Sequence, residues 1–301
     1  MAPSVRHRLL LVAAAVLFST GGAAIKAASL SAWQVACFRS GVAALVLLSA
    51  LPGARRHWTL RMAPVAAAYA ATLVLFVLAN RLTTSANAIF LQATAPLYVL
   101  LLGPLLLKEP IRRADLVYIA AVALGMSLFF TGGERALSTA PDPARGNILA
   151  LASGATYALM LAGLRWLGRH GNPDAGLATV AAGNLLAFGA ALGPALPVAR
   201  PGAADAAVIL YLGAAQIGLA YWCLTRGIGH VPVFEAVTTL QLEVALNPVW
   251  SWLIHGERPA SRALIGGVII VSATILNTAR GARGAAGSAR PPDMPPSPPA
   301  P

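Results

Sequence analysis

Apolar residues gather into ten runs separated by short polar corners. Five lie in the first half, at Leu9–Ala28, Ala32–Leu51, Met62–Ala79, Thr84–Leu107 and Ala114–Thr131. Five follow at Gly146–Leu164, Asp174–Leu192, Ala206–Thr225, Val231–Ile254 and Ala263–Ala279. A helix needs about 20 mostly apolar residues to cross the hydrocarbon core of a bilayer. These lengths predict an all-α integral membrane protein with ten transmembrane helices.

The longest internal connection, residues 132–145, is rich in Gly, Pro, Asp and Ser, the composition of a linker. It divides the chain into an N-terminal segment 1–8, a first five-helix unit 9–131, a second unit 146–280 and a Pro-rich tail 281–301 expected to be disordered. The basic opening followed by Leu9 resembles the start of a signal peptide, but the run continues to Ala28 without a convincing cleavage site. It is read as a retained first helix.

One unit of pattern occurs twice. The fourth run carries Pro96 and ends in the corner Lys108-Glu109-Pro110; the ninth ends in Gly256-Glu257-Arg258-Pro259. Pro96 stands thirteen residues before Glu109, and Val244 thirteen before Glu257. A fixed spacing in both halves points to internal duplication.

Composition agrees with the spans. Hydrophobic residues make up 57% of 301 and charged residues 11%, far from the balance of a soluble domain. The net charge of +12 is scattered through short connections with no basic stripe among aromatics, so no nucleic-acid partner is expected. With the N-terminus cytoplasmic, fourteen Lys and Arg fall on the cytoplasmic side and seven on the other. The positive-inside rule then puts both termini in the cytoplasm of a multi-pass cell inner (plasma) membrane protein. Five spans per half is an odd number, so the second copy enters the membrane inverted. Two inverted repeats around a central cavity suit alternating access by a secondary transporter.

These residues carry a resemblance. The five-plus-five runs, Pro96 with Lys108-Glu109-Pro110, and Gly256-Glu257-Arg258-Pro259 followed by Gly266-Gly267 are similar to the EamA type of the drug/metabolite transporter superfamily, over about residues 9–280. Arg39 early in the second span and Ala155-Thr156-Tyr157 in the sixth, which ends in Arg165, fit as well. Lys108 in place of the usual Gly and Val244 in place of Pro depart from the pattern. The resemblance implies a basket-like bundle whose cavity is lined mainly by helices one, three, four, six, eight and nine. It also implies export or exchange of small metabolites, often amino acids, with amino-acid exporters of the YddG type as the nearest group.

Polar residues deep in a span are costly in lipid and usually face a cavity or a partner. The candidates for substrate binding are Asn87 and Gln92 on the fourth span, Tyr157 on the sixth, Gln216 and Trp222 on the eighth, and Gln241 and Glu243 on the ninth. Thr94, Tyr221 and Ser19 are secondary candidates. Each competes with a plain interhelical hydrogen bond. Glu243 is a candidate for meeting a substrate ammonium or taking up a proton, against a structural ion pair with Lys26 or Arg39. Those two cations are candidates for a substrate carboxylate or for charge coupling; standing nearer one membrane face than the midplane, they could equally snorkel.

Other classes fit less well. The chain has no G-x-x-x-x-G-K-[ST] loop, so it does not hydrolyse ATP, and the first span carries no acid of the kind small cationic-drug exporters use. A polytopic membrane enzyme needs clustered acids or a nucleophile beside a base, and the five histidines fall in termini and corners. Cys37 and Cys223 read as small buried hydrophobes, and no metal or cofactor is expected. A sugar-phosphate, nucleotide-sugar or cationic-drug carrier is the alternative cargo reading, and a monomer or weak homo-oligomer the expected state.

Overall fold

The computed structural model describes residues 3–56, 58–102, 113–131, 136–169, 175–198, 202–228, 230–231 and 233–288. Among them the chain is helical throughout, with no strand beyond an isolated bridge between Leu137 and Ala140. The helices are α1 (Pro3–Ser19), α2 (Gly21–Ala27), α3 (Ala32–Ala50), α4 (Pro52–Arg55), α5 (Ala63–Leu82), α6 (Ser85–Gln92), α7 (Ala95–Leu102) and α8 (Arg113–Ser127). After the linker come α9 (Pro143–Arg169), α10 (Ala175–Ala195), α11 (Ala203–Leu210), a π-helical stretch Tyr211–Leu219, α12 (Ala220–Ile228), α13 (Val233–His255) and α14 (Ser261–Ser288).

Six described stretches are long and apolar enough to cross a membrane: Val5–Ala27, Ala32–Ala50, Leu60–Leu82, Pro143–Leu164, Gly176–Ala195 and Ala203–Leu224. Ser85–Leu101, Asp115–Ser127 and Ser261–Asn277 are apolar but shorter. Among the described residues the expected ten spans are thus represented by six full-length helices and three shorter apolar ones. The fourth run is cut in two, and its corner Lys108-Glu109-Pro110 lies outside the described residues. The last helix continues through Ser288, past the Arg280 at which a tail was expected, and the Pro-rich stretch beyond it is outside the described residues.

Local chemistry sets where the helices begin. Ser31 and Gln34 form a reciprocal capping box that starts α3, satisfying backbone donors that a helix N-terminus leaves open. Thr84 caps α6 by accepting from the Asn87 amide. The fourth run breaks at Ala93-Thr94 because Pro96 follows at the second residue of α7, where its missing N–H and fixed φ do no harm. The Thr94 hydroxyl donates to the Leu91 carbonyl at 2.6 Å, meeting one acceptor beside the break. In the second half Val244 stands where Pro96 stands in the first, and α13 runs unbroken from Val233 to His255. Duplicated sequence has produced two different helices.

Packing follows small residues. Helix α5 lies against α9 and α10, α10 against α3, α1 against α12 and α13, and α14 against α8. A Cβ at Gly154 would stand 3.2 Å from the Leu91 and Gln92 carbonyl oxygens, so α9 reaches the break in the fourth run only because it presents a glycine there. The ends of α2, α5 and α13 and the starts of α6, α9 and α11 meet at one end of the bundle, tied by polar contacts. Arg81 donates to the Ala28 and Leu30 carbonyls, and Asp205 accepts from both the backbone and the hydroxyl of Ser29.

Candidate functional site

A central cavity of about 140 Å³ opens among the helices. Its walls come from α1 (Phe18), α3 (Arg39), α5 (Tyr69, Thr72, Leu73, Phe76), α6 and the break (Ile89, Gln92, Ala93), α9 (Tyr157), the π-helical stretch and α12 (Gln216, Ile217, Tyr221), and α13 (Glu243, Val244). These are the runs that the resemblance implied, with the second added through Arg39.

The broken fourth run positions Gln92. As the last residue of α6 it turns its amide toward α9, where Nε2 donates to Ser153 Oγ at 2.7 Å and leaves Oε1 as an acceptor. Ser153 in turn donates to the Thr72 carbonyl at 3.2 Å. Gln216 sits in wide π-helical turns, a geometry often found at functional sites. Its Nε2 donates to the Phe18 carbonyl at 3.4 Å, while its buried Oε1 has no partner. On the aromatic side of the cavity Tyr221 meets Phe18 edge-on at 5.2 Å and Tyr69 at 6.0 Å.

Two charges share this space. Arg39 is 2% exposed and its Nε has no hydrogen-bond partner. It therefore does not snorkel: eight residues into α3, it faces the bundle interior. Glu243 lines the same cavity from α13, and no ion pair or hydrogen bond joins it to another described residue. The structural ion pair expected as the alternative for Glu243 is thus absent among the described residues: Lys26 is engaged with Glu257, and Arg39 makes no salt bridge with Glu243.

Lys26 makes a different centre. Its ammonium donates to Glu257 Oε1 at 2.8 Å, to the Thr83 carbonyl at 2.8 Å and to the Thr139 carbonyl. An ammonium has three donors, and all three are used. Glu257 Oε2 accepts from the Ser85 N–H at 2.9 Å, at the positive end of α6. The side chains of the pair are 3% and 1% exposed. Gly256 makes this possible: its φ of 64° ends α13 in the left-handed conformation that glycine tolerates and turns Glu257 back toward α2. Beside it, the His255 ring contacts the Ala23 carbonyl through Nε2 at 2.8 Å.

The remaining candidates lie away from the cavity wall. Asn87 is fully buried near the Lys26 end, donating to Thr83 Oγ1 at 3.2 Å and to Asn147 Oδ1 at 3.1 Å. Trp222 stacks under the Arg226 guanidinium, 5.0 Å from the ring centre. Gln241 is half-buried on α13 and does not line the cavity. Ser19 accepts from Trp250 Nε1 at 2.9 Å, a contact between α1 and α13. Thr94 serves the helix break, and the side chain of Arg165 lies outside the described residues. Sequence reasoning missed Tyr69, Thr72 and Ser153, which look like ordinary members of apolar runs. It also took Glu257 as part of a turn only; an acid directly after a glycine at the end of a span was the available signal.

The sequence matches the family described as the EamA-like transporter family over residues 7–131 and 144–279, two copies of its domain. No curated protein matches. Among solved structures, the crystal structure of a protein 17% identical in sequence covers 92% of this chain and 98% of its own, with a TM-score of 0.60. At that identity the likeness concerns the fold alone.

Proposed function

Because the chain belongs to the EamA-like transporter family, we propose that it is a secondary transporter moving a small zwitterion, most simply an amino acid, across the inner membrane. In this reading ten spans form two inverted five-helix repeats, both termini are cytoplasmic, and the cavity is offered to each side in turn. Export or exchange of the kind carried out by YddG-type amino-acid exporters is the finer assignment.

One observation carries the cargo class: Arg39 and Glu243 line a single cavity without pairing with each other. A buried charge is costly unless compensated. A molecule with a carboxylate and an ammonium compensates both, the carboxylate on the Arg39 fork and the ammonium on Glu243. The free Oε1 of Gln216 and the remaining Oε1 of Gln92 add acceptors, which suit an ammonium. The aromatic wall of Phe18, Tyr69 and Tyr221 would take an apolar side chain. The size argues in the same direction, since an apolar cavity of about 150 Å³ accepts a benzene-sized molecule. A phosphorylated sugar asks for paired cations, and among the described residues lining the cavity Arg39 has no second cation beside it. A cationic drug would leave Arg39 uncompensated.

The test is uptake and release of a labelled amino-acid panel in proteoliposomes, with and without a pH gradient. Saturable flux of a neutral amino acid is expected, lost in Arg39→Gln and in Glu243→Gln and kept in Gln241→Ala. Flux of a phosphorylated sugar or cationic drug in its place overturns the cargo class.

A further inference from the structure

Between the cavity and the Lys26–Glu257 pair lies a line of buried polar side chains without hydrogen-bond partners. Glu243, Asn247 and Ser251 follow one another at four-residue steps on α13, so they share one face of the helix. Asn247 is fully buried, and neither its Oδ1 nor its Nδ2 has a partner. Ser251, one turn on, is 1% exposed with an unpartnered hydroxyl. Opposite them the Ser85 hydroxyl is likewise fully buried and unpartnered. Gly22 of α2 brings the sides together: a Cβ there would stand 2.6 Å from Asn247 Oδ1 and 3.0 Å from Ser85 Oγ. The line ends at the ion pair, since the Ser85 N–H donates to Glu257 and the Ser251 carbonyl accepts from the Glu257 N–H at 3.3 Å.

Buried polar groups are nearly always hydrogen-bonded, so three unpartnered side chains in one seam need a reason. A merely structural seam between α2, α6 and α13 would be better built from alanine and leucine. We infer that Asn247, Ser251 and Ser85 form a second station for a small zwitterionic cargo, on its way between the central cavity and the Lys26 end, which opens when Lys26 and Glu257 separate. The amide and the two hydroxyls offer both donors and acceptors, as a passing carboxylate and ammonium demand. The released Lys26 and Glu257 would repeat at the end of the path the two opposite charges of Arg39 and Glu243 in the cavity. The cargo class rests on the reading of the central cavity; the existence of the station does not.

The experiment uses single cysteines in a Cys37→Ala/Cys223→Ala background, in lipid nanodiscs that expose both faces. The rate at which a small cationic methanethiosulfonate modifies Asn247→Cys and Ser251→Cys is followed by mass spectrometry, with Glu257 intact and with Glu257→Gln. Two positions keep the test alive if one variant does not fold. Modification at least tenfold faster with Glu257→Gln is expected, and so is a slower rate when L-alanine, L-threonine or L-phenylalanine is present. Equal rates with and without Glu257→Gln overturn the station and leave the cavity reading standing. Faster modification that none of these zwitterions slows overturns the seam as a station for this cargo, while amino-acid flux in proteoliposomes decides the cavity reading separately. An Asn247→Leu protein of full flux and raised melting temperature also overturns the station, because it would make the seam structural only.

Discussion

Lys26 and Glu257 lie 231 residues apart in the chain and meet at 2.8 Å with almost none of either side chain exposed. The contact joins the end of α2 to the corner after α13, and through the Ser85 N–H it reaches the start of α6. Three segments drawn from both repeats are thereby held together at one end of the bundle. Two charges removed from water are costly, and what offsets the cost here is that all three Lys26 donors are used and each Glu257 oxygen accepts a hydrogen bond.

Breaking that pair from one side leaves the other charge buried. Lys26→Met alone and Glu257→Gln alone should each lower stability by about 3–5 kcal/mol, whereas the double replacement should recover most of the loss. Thermal unfolding of the four proteins in one detergent gives the comparison. A double variant as unstable as the sum of the singles would mean that the two residues act independently.

Gly22 permits the close approach of α2 to α6 and α13. Gly22→Ala puts a methyl group 2.6 Å from Asn247 Oδ1 and 3.0 Å from Ser85 Oγ, and overpacking of this kind costs about 1–3 kcal/mol. A lowered melting temperature is expected. Gly189→Ala serves as the control: a Cβ there meets nothing within 4 Å, so the helix-favouring alanine should leave the melting temperature unchanged or raise it slightly.

Ser153 orients Gln92 without lining the cavity. Ser153→Ala removes the hydrogen bond that holds Gln92, worth about 1 kcal/mol, together with the bond to the Thr72 carbonyl, so the apparent KM for the transported amino acid should rise several-fold while the maximal rate changes little. Ser153→Thr keeps the hydroxyl and should restore most of the affinity. An unchanged KM in Ser153→Ala would show that Gln92 does not need this support.

Arg39 and Glu243 separate the two ends of the cargo. Hydrogen bonds to charged groups are worth about 1.5–3 kcal/mol, so Arg39→Gln and Glu243→Gln should each weaken binding of a zwitterion by about tenfold or more. Arg39→Gln should spare an amine that lacks the carboxylate, and Glu243→Gln should spare an acid that lacks the ammonium. Equilibrium binding with matched decarboxylated and deaminated analogues reads this directly. If Glu243 also carries a proton during the cycle, Glu243→Gln flattens the pH dependence of flux, whereas an unaltered pH profile rules that role out.

Much of the architecture is local information. Apolar runs of near-membrane length, the polar corners between them and the repeat of one spacing around Glu109 and Glu257 all lie within short stretches of chain, and they sufficed to indicate an all-helical membrane transporter of two repeats. Pro96 marked the fourth run as unusual, because a proline within a helix removes a backbone donor. Position within a run singled out Asn87, Gln92, Tyr157, Gln216, Trp222, Gln241 and Glu243, of which Gln92, Tyr157, Gln216 and Glu243 line the cavity.

Which face of a helix a residue occupies, and what it meets there, was decided by tertiary packing. Asn87 and Gln92 belong to the same short helix, yet one closes a hydrogen-bonded knot with Asn147 and the other lines the cavity. Arg39 and Lys26 read alike in sequence as cations near a membrane face. One turned out to be a cavity residue and the other half of an ion pair whose partner lies in the other repeat. Hydropathy along a chain is a sum over neighbours and carries depth; the pairing of charges depends on long-range approach, set here by Gly22, Gly154 and the left-handed Gly256.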